Sequence, residues 1–222
     1  MQIAKTYAAQ VDPSTYETFR SLVEAIVPTT PCFGAEQTAG AVDLCVHEYM
    51  IWELDHTLAL MLGINLTVFP LSAPTAGMLN SGAAQFVAKG GAQDAPCRPV
   101  WALSPFSALC PADRIVVLSL LEQLWFDLGL LPPPYQHDGG FLKFIIDYLN
   151  RGTMFGNYSE WPAYGTTRLN PPTLRRLECF PTGWQQSGYP GVSSGYRALR
   201  GFMLYIVRDK GGYEICMTRT LS

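Results

Sequence analysis

The sequence predicts a mainly α protein, with a bundle-like core of about four main helices, then a long irregular aromatic-rich arm and a short terminal β-hairpin. Three observations predict it. Four stretches carry apolar residues at helical spacing between recognisable start and stop signals. After Phe155 the character changes, and Tyr158, Trp161, Tyr164, Trp184, Tyr189 and Tyr196 are interleaved with Pro, Gly, Ser and Thr. Finally, residues 202–207 and 213–219 are extended-type runs around Asp209-Lys210-Gly211-Gly212. The division read from this is a helical core over 1–155 and an arm over 156–222, together one domain.

The first helix is predicted over 13–27. Asp12 or Ser14 caps it, Pro13 suits the first turn, and Phe19, Leu22, Val23 and Ile26 line one face. Pro28 and Pro31 stop it. A second helix is expected from Ala41 to Met61 or Leu62, ended by Gly63, with Val42, Cys45, Val46, Tyr49 and Trp52 in a three-four rhythm. Its second half, Leu58 to Leu62, is apolar all round and predicts deep burial. Between Gly63 and Cys110 only short helices around 76–88 and 105–109 are expected. A third strong helix runs from Pro111 to Leu128 on a stripe of Ile115, Leu118, Leu121, Leu124 and Trp125. Pro132-Pro133-Pro134 closes that unit. A fourth spans Gly140 to Met154, with Phe141, Phe144, Ile145, Tyr148 and Leu149 inward. In the arm only Thr173 to Glu178 reads as helical.

Composition bounds the function. Of 222 residues, 15% are Asp, Glu, Lys or Arg, against about 25% in ordinary soluble domains. Hydrophobic residues reach 48% and aromatics 12%, which leaves few charges to coat a monomer. A net charge of −3 excludes a strongly basic, phosphate-seeking protein, and the hydrophobicity excludes disorder. Residues 57–88 carry no formal charge over 32 positions. Gly63, Pro70, Pro74, Gly77 and Gly82 interrupt them too often for a membrane span of about 20 apolar residues. The N-terminus shows no basic, apolar or twin-arginine leader, so the expected location is cytoplasmic, or exported with a partner if the sequence has been trimmed. Six scattered cysteines without a C-x-x-C pair read as buried thiols.

Catalytic motifs are incomplete. His47-Glu48 begins a zinc-protease pattern, but residue 51 is Ile where the second imidazole belongs. Glu53-x-x-His56 has di-iron spacing without the second copy such a site requires. There is no G-x-S-x-G, and Gly188 to Gly195 lacks phosphate-loop spacing. Arg168, Arg175 and Arg176 are too few for nucleic acid in an acidic chain, and fit a protein contact better. A segment as long as the arm wraps either its own helices or a partner, and the low charge favours the partner.

Five phrases, in order, resemble one family. They are Thr18-Phe19-Arg20-Ser21-Leu22-Val23-Glu24-Ala25-Ile26-Val27-Pro28-Thr29, Gly40-Ala41-Val42-Asp43, Pro111-Ala112-Asp113-Arg114, Phe155-Gly156-Asn157-Tyr158-Ser159-Glu160-Trp161 and Gly188-Tyr189-Pro190-Gly191. Spread over about residues 15–200, they resemble the gluconate 2-dehydrogenase subunit 3 family, the small subunits of FAD-dependent sugar and sugar-acid dehydrogenases. The resemblance implies a mostly helical chain with no catalytic residues and no cofactor of its own. It implies a large FAD-bearing partner of the glucose–methanol–choline oxidoreductase type, which this chain helps to mature, stay soluble or be exported. Two departures stand out: the missing twin-arginine leader, and the extra segments 63–104 and beyond Gly201. The expected partner contacts are Tyr158, Trp161, Tyr164, Arg168, Trp184 and Tyr189. Two other readings remain, an independent helical enzyme using His137, Asp138 and Glu160, and a transient chaperone.

Overall fold

A computed structural model describes residues 11–33, 39–62, 67–189, 191, 202–209 and 212–219. The fold is mainly α, as the sequence predicts, but five helices rather than four build the core. Helix α1 spans Pro13–Ile26, and of its two candidate caps the structure uses Asp12, whose carboxylate accepts from the Thr15 N–H at 3.1 Å. Phe19, Leu22 and Val23 are completely buried on its inner face.

Helix α2 covers only Val46–His56, shorter at both ends than the apolar rhythm predicts. At its start Asp43 bonds the Thr29 hydroxyl (2.7 Å) and the Gly40 N–H (3.1 Å), which holds residues 41–45 in turns. Cys45 then takes a left-handed conformation (φ 54°). At its end the chain turns extended, and β1 (Leu60–Leu62) pairs antiparallel with β2 (Thr67–Phe69). Leu58 and Ala59 are half-buried rather than deeply buried, and the side chains of 60–62 lie outside the described residues.

Helix α3 (Ser72–Ala88) begins earlier than predicted because the Asp55 carboxylate accepts from both the Ser72 N–H and its hydroxyl, at 2.9 and 2.8 Å. A single turn, α4 (Arg98–Trp101), follows. The helix expected at 105–109 is a set of turns, with the Phe106 N–H held by the Asn80 side chain. Helix α5 (Pro111–Glu122) stops well short of Leu128, since Leu124 sits at φ 59°. Its inner face is also rotated from the predicted stripe. Val117, Leu118 and Leu121 are buried, whereas Ile115 and Trp125 are exposed. Two charged residues occupy the inside instead: Asp113 receives the Gln93 N–H, and Arg114 donates to Ser21, Ser107 and Glu24.

Helix α6 (Gly139–Tyr158) is capped by Asp138 and runs straight through the expected core–arm boundary at 155/156. It buries Leu142, Ile145, Ile146 and Leu149, while Phe144, expected inside, is exposed. Helix α1 packs against α2, α3, α5 and α6. Removing these apolar faces from water is the main stabilising contribution, at roughly 25 cal/mol per Å².

The arm continues as a 3-10 helix at Trp161–Thr167 kinked at Gly165, then a 3-10 turn at Pro172–Leu174 in place of the predicted 173–178 helix. Helix α7 (Thr182–Ser187) ends in Gly188 at φ 67°. The hairpin is present: β3 (Phe202–Asp209) pairs with β4 (Gly212–Arg219), closing on Asp209 opposite Gly212. Tyr196, counted in the arm, lies outside the described residues.

The cysteine reading needs correction. Cys32, Cys97 and Cys179 are exposed free thiols, Cys45 and Cys110 are half-buried, and the side chain of Cys216 lies outside the described residues. Cys97 and Cys110 immediately precede α4 and α5. Among the described residues no helix is long and apolar enough to cross a membrane, and no group of His, Cys, Asp and Glu is arranged to hold a metal.

Candidate functional site

The last turn of α6 carries Phe155 and Tyr158 on its outer side, 64% and 52% exposed. Just beyond, Ser159 turns the chain: its hydroxyl donates to the Gly156 carbonyl at 2.9 Å and accepts the Trp161 N–H at 3.2 Å. That turn drives Trp161 inward, where its indole N–H reaches the Cys45 carbonyl at 3.0 Å and its ring meets Tyr49 edge-on at 5.4 Å. One 3-10 turn later Tyr164 donates its hydroxyl to Glu160 at 2.6 Å. Helix α7 then folds back onto α6, because Gly183 leaves the Tyr158 backbone room: a Cβ there would lie 2.5 Å from the Tyr158 carbonyl oxygen. The next residue, Trp184, is thereby brought in with its ring edge-on to Phe180 and Tyr189.

The result is an open cleft of about 410 Å³ walled by Tyr49, Phe155, Tyr158, Trp161, Tyr164 and Trp184. Glu160 and Arg175 are its charged lining. A second hollow of the same volume, about 410 Å³, opens on the other side of Tyr158, against Val27, Met154 and Asn157. Tyr158 is therefore a ridge between two hollows.

Arg175 is held unusually. Its guanidinium carbon lies 4.2 Å from the ring centre of Trp52 and 5.0 Å from that of Trp161. Such cation–π contacts offset part of the cost of taking the charge out of water. Burial still lowers its pKa, against the attraction of Tyr164, Glu53 and Tyr49. Its Nε donates to the Asn170 carbonyl at 3.0 Å, but Nη2 is buried without an acceptor.

Burial, followed by the hydrogen bond to Glu160, pushes the Tyr164 phenol up to about 12. Burial and then the Glu53 charge raise Tyr49, and the same two causes raise Tyr148, which donates to Glu53. At neutral pH these phenols are protonated donors, suited to binding. His137 and Asp138 precede α6 and Glu160 follows it. Twenty helical residues rise about 30 Å, so the three loop residues do not share one site.

Four of the six expected contact residues thus meet at the cleft, namely Tyr158, Trp161, Tyr164 and Trp184. Trp161 is only 2% exposed, however, and is a strut of the protein's own core. Arg168 is also used internally, its Nε lying 2.5 Å from Glu48 Oε2 on α2. Tyr189 leans on Trp184 and remains 46% exposed. The described part of the arm therefore wraps its own helices while leaving an aromatic outer edge. Sequence reasoning missed Tyr49 and Trp52, whose helical spacing reads as core, and did not separate Arg175 from its basic neighbours. Only its surroundings distinguish it.

Compared with protein-family models, curated proteins and solved structures, the chain matches none.

Proposed function

We propose that this chain is a non-catalytic small subunit that binds and stabilises a large FAD-dependent oxidoreductase of the glucose–methanol–choline type, acting on sugars, sugar derivatives or alcohols. The partner holds the flavin and takes hydride from a substrate C–H bond, and this chain supplies the surface on which that partner folds and stays soluble. The family assignment rests on the five ordered sequence phrases.

The observation that carries the binding role is the aromatic outer edge. Met154, Phe155, Tyr158 and Tyr189 are 42%, 64%, 52% and 46% exposed, clustered on the end of α6 and just beyond α7. Large rings and methionines of this kind are costly to leave in water, and are the residue types that dominate the energy of protein interfaces. A ridge at Tyr158 with a hollow on each side also offers a shape into which partner side chains can key. An obligate interface of roughly 2,000 Å² or more would cover that edge and account for the low fraction of charged residues.

Co-expression tests the proposal. Produced alone, the chain is expected to self-associate. Produced with the flavoprotein, it is expected to give a yellow, equimolar complex that the Phe155→Ser, Tyr158→Ser double variant fails to form. A colourless, monodisperse monomer indifferent to the flavoprotein contradicts the proposal. Substoichiometric recovery contradicts permanent membership and supports a chaperone that releases its client.

A further inference from the structure

The floor of the cleft poses a separate chemical question, because Arg175 is a cation without an anion. Among the described residues no carboxylate lies within 4.0 Å of it, although Glu160 lines the same cleft and Glu53 is close enough to act on it through its charge. Both carboxylates are engaged by phenols: Glu160 accepts from Tyr164, and Glu53 accepts from Tyr148 at 3.1 Å. The guanidinium spends one nitrogen, Nε, on the Asn170 carbonyl, and Nη2 is shielded with nothing to donate to. A buried donor left without an acceptor is destabilising, the more so when it is charged. With Nε used and Nη2 shielded, the N–H bonds left to a ligand are those of Nη1, which suit a charge-assisted hydrogen bond to a carboxylate oxygen.

The walls constrain what carries that carboxylate. Phe155, Tyr158 and Trp184 offer ring surfaces that favour offset or edge-on contact with another flat apolar body. A volume of about 410 Å³ lies within the range of small-molecule sites. Glu160 disfavours a doubly charged phosphate, while a single carboxylate can be balanced by one guanidinium.

We propose that the cleft is a binding site for a carboxylate borne on a flat apolar body, an aromatic acid in its simplest form, with Arg175 as the anion anchor and Phe155, Tyr158 and Trp184 as the walls. The site shares Phe155 and Tyr158 with the outer edge, but its anchor, Arg175, is a residue that the docking reading does not use.

The test uses the full chain at low micromolar concentration, with phenylacetate and its neutral isostere phenylacetamide as probes. Ligand-detected NMR and quenching of tryptophan fluorescence report binding. The acid is expected to bind at least tenfold more tightly than the amide. Arg175→Met keeps an apolar stem against Trp52 and Trp161 but removes the charge, and is expected to abolish the difference with the thermal transition retained. Should Arg175→Met unfold the chain, Glu160→Gln decides instead: removing the neighbouring negative charge is expected to tighten the acid several-fold and leave the amide unchanged. Equal binding of acid and amide, no binding of either up to about 10 mM (a free energy near −3 kcal/mol), or an acid preference that survives Arg175→Met overturns the proposal. Because this titration needs no partner, its failure leaves the docking reading intact, and failed co-expression leaves this site intact.

Discussion

The indole N–H of Trp161 donates to the carbonyl of Cys45, 116 positions earlier in the chain, at 3.0 Å. That carbonyl belongs to the left-handed residue immediately before α2. The bond fastens the beginning of the arm to the start of a core helix, and everything that shapes the cleft is arranged about it. The ring itself is 2% exposed and touches Tyr49.

Trp161→Ala is expected to destabilise the fold by about 3–5 kcal/mol, the usual loss for a buried large aromatic. Trp161→Phe, which keeps most of the ring volume but removes the indole donor while the Cys45 carbonyl retains the Glu48 N–H at 3.2 Å, is expected to cost about 0.5–1.5 kcal/mol for the lost bond. Urea unfolding of both variants checks the order. Equal losses would mean that the hydrogen bond contributes nothing.

A second tie joins the arm to α2. Arg168 and Glu48 side chains are 26% and 13% exposed, so solvent screens their ion pair less than it would a surface one. Burial works against the Arg168 charge, but the hydrogen bond and the attraction of Glu48 outweigh it and raise the pKa. A double-mutant cycle of Arg168→Met and Glu48→Gln is expected to return a coupling of about 1–3 kcal/mol, read from denaturant unfolding. A coupling near zero would show that the arm is held by Trp161 and its neighbours alone.

His47 gives the fold a pH dependence. It is 4% exposed, shares a 2.8 Å hydrogen bond with the Tyr16 hydroxyl, and its Nδ1 has no partner. Burial lowers its pKa from 6.5 to about 4, with Glu48 opposing and Arg20 and Arg168 adding to the shift. The unfolded chain therefore binds a proton that the folded chain refuses between those values. The neutral imidazole contributes its stability in full above pH 6.5, and this is lost progressively as pH falls toward 4. The loss attributable to this one residue is about 3 kcal/mol. Comparing wild type with His47→Gln by urea unfolding at several pH values isolates it, and parallel pH profiles would refute the assignment.

Gly183 sets the position of α7. Gly183→Ala forces the new methyl against the Tyr158 backbone, with its carbonyl oxygen 2.5 Å and its Cα 2.6 Å away, and neither can rotate aside. The expected cost is about 1–3 kcal/mol, together with a red shift of tryptophan emission as Trp184 loosens. Unchanged emission and stability would place α7 elsewhere.

Much of this architecture is legible in the sequence where the cause is local. Asp12-Pro13 and the spacing of Phe19, Leu22 and Val23 define α1 because cap and stripe lie within one helix. The limits of α2 are not local, since Asp43 reaches back to Thr29 and Cys45 takes a positive φ that no neighbouring residue demands. The inner face of α5 is misread for a similar reason. Asp113 and Arg114 look like surface charges until Gln93, Ser21 and Ser107 are brought to them. In the site, residue type alone singles out Tyr158, Tyr164 and Trp184 as partner contacts, and the structure places all three at the cleft. Residue type cannot tell that Trp161 points inward, that Arg168 is already paired, or that Arg175 is the cation left over.

The most direct test of the small-subunit account is affinity purification of the tagged full-length chain from its native host, read by mass spectrometry and by absorbance near 450 nm. The account predicts one large flavoprotein of the glucose–methanol–choline type, recovered in equimolar amount with bound flavin. Recovery of the chain alone, without flavin absorbance and without a stoichiometric companion, would contradict it.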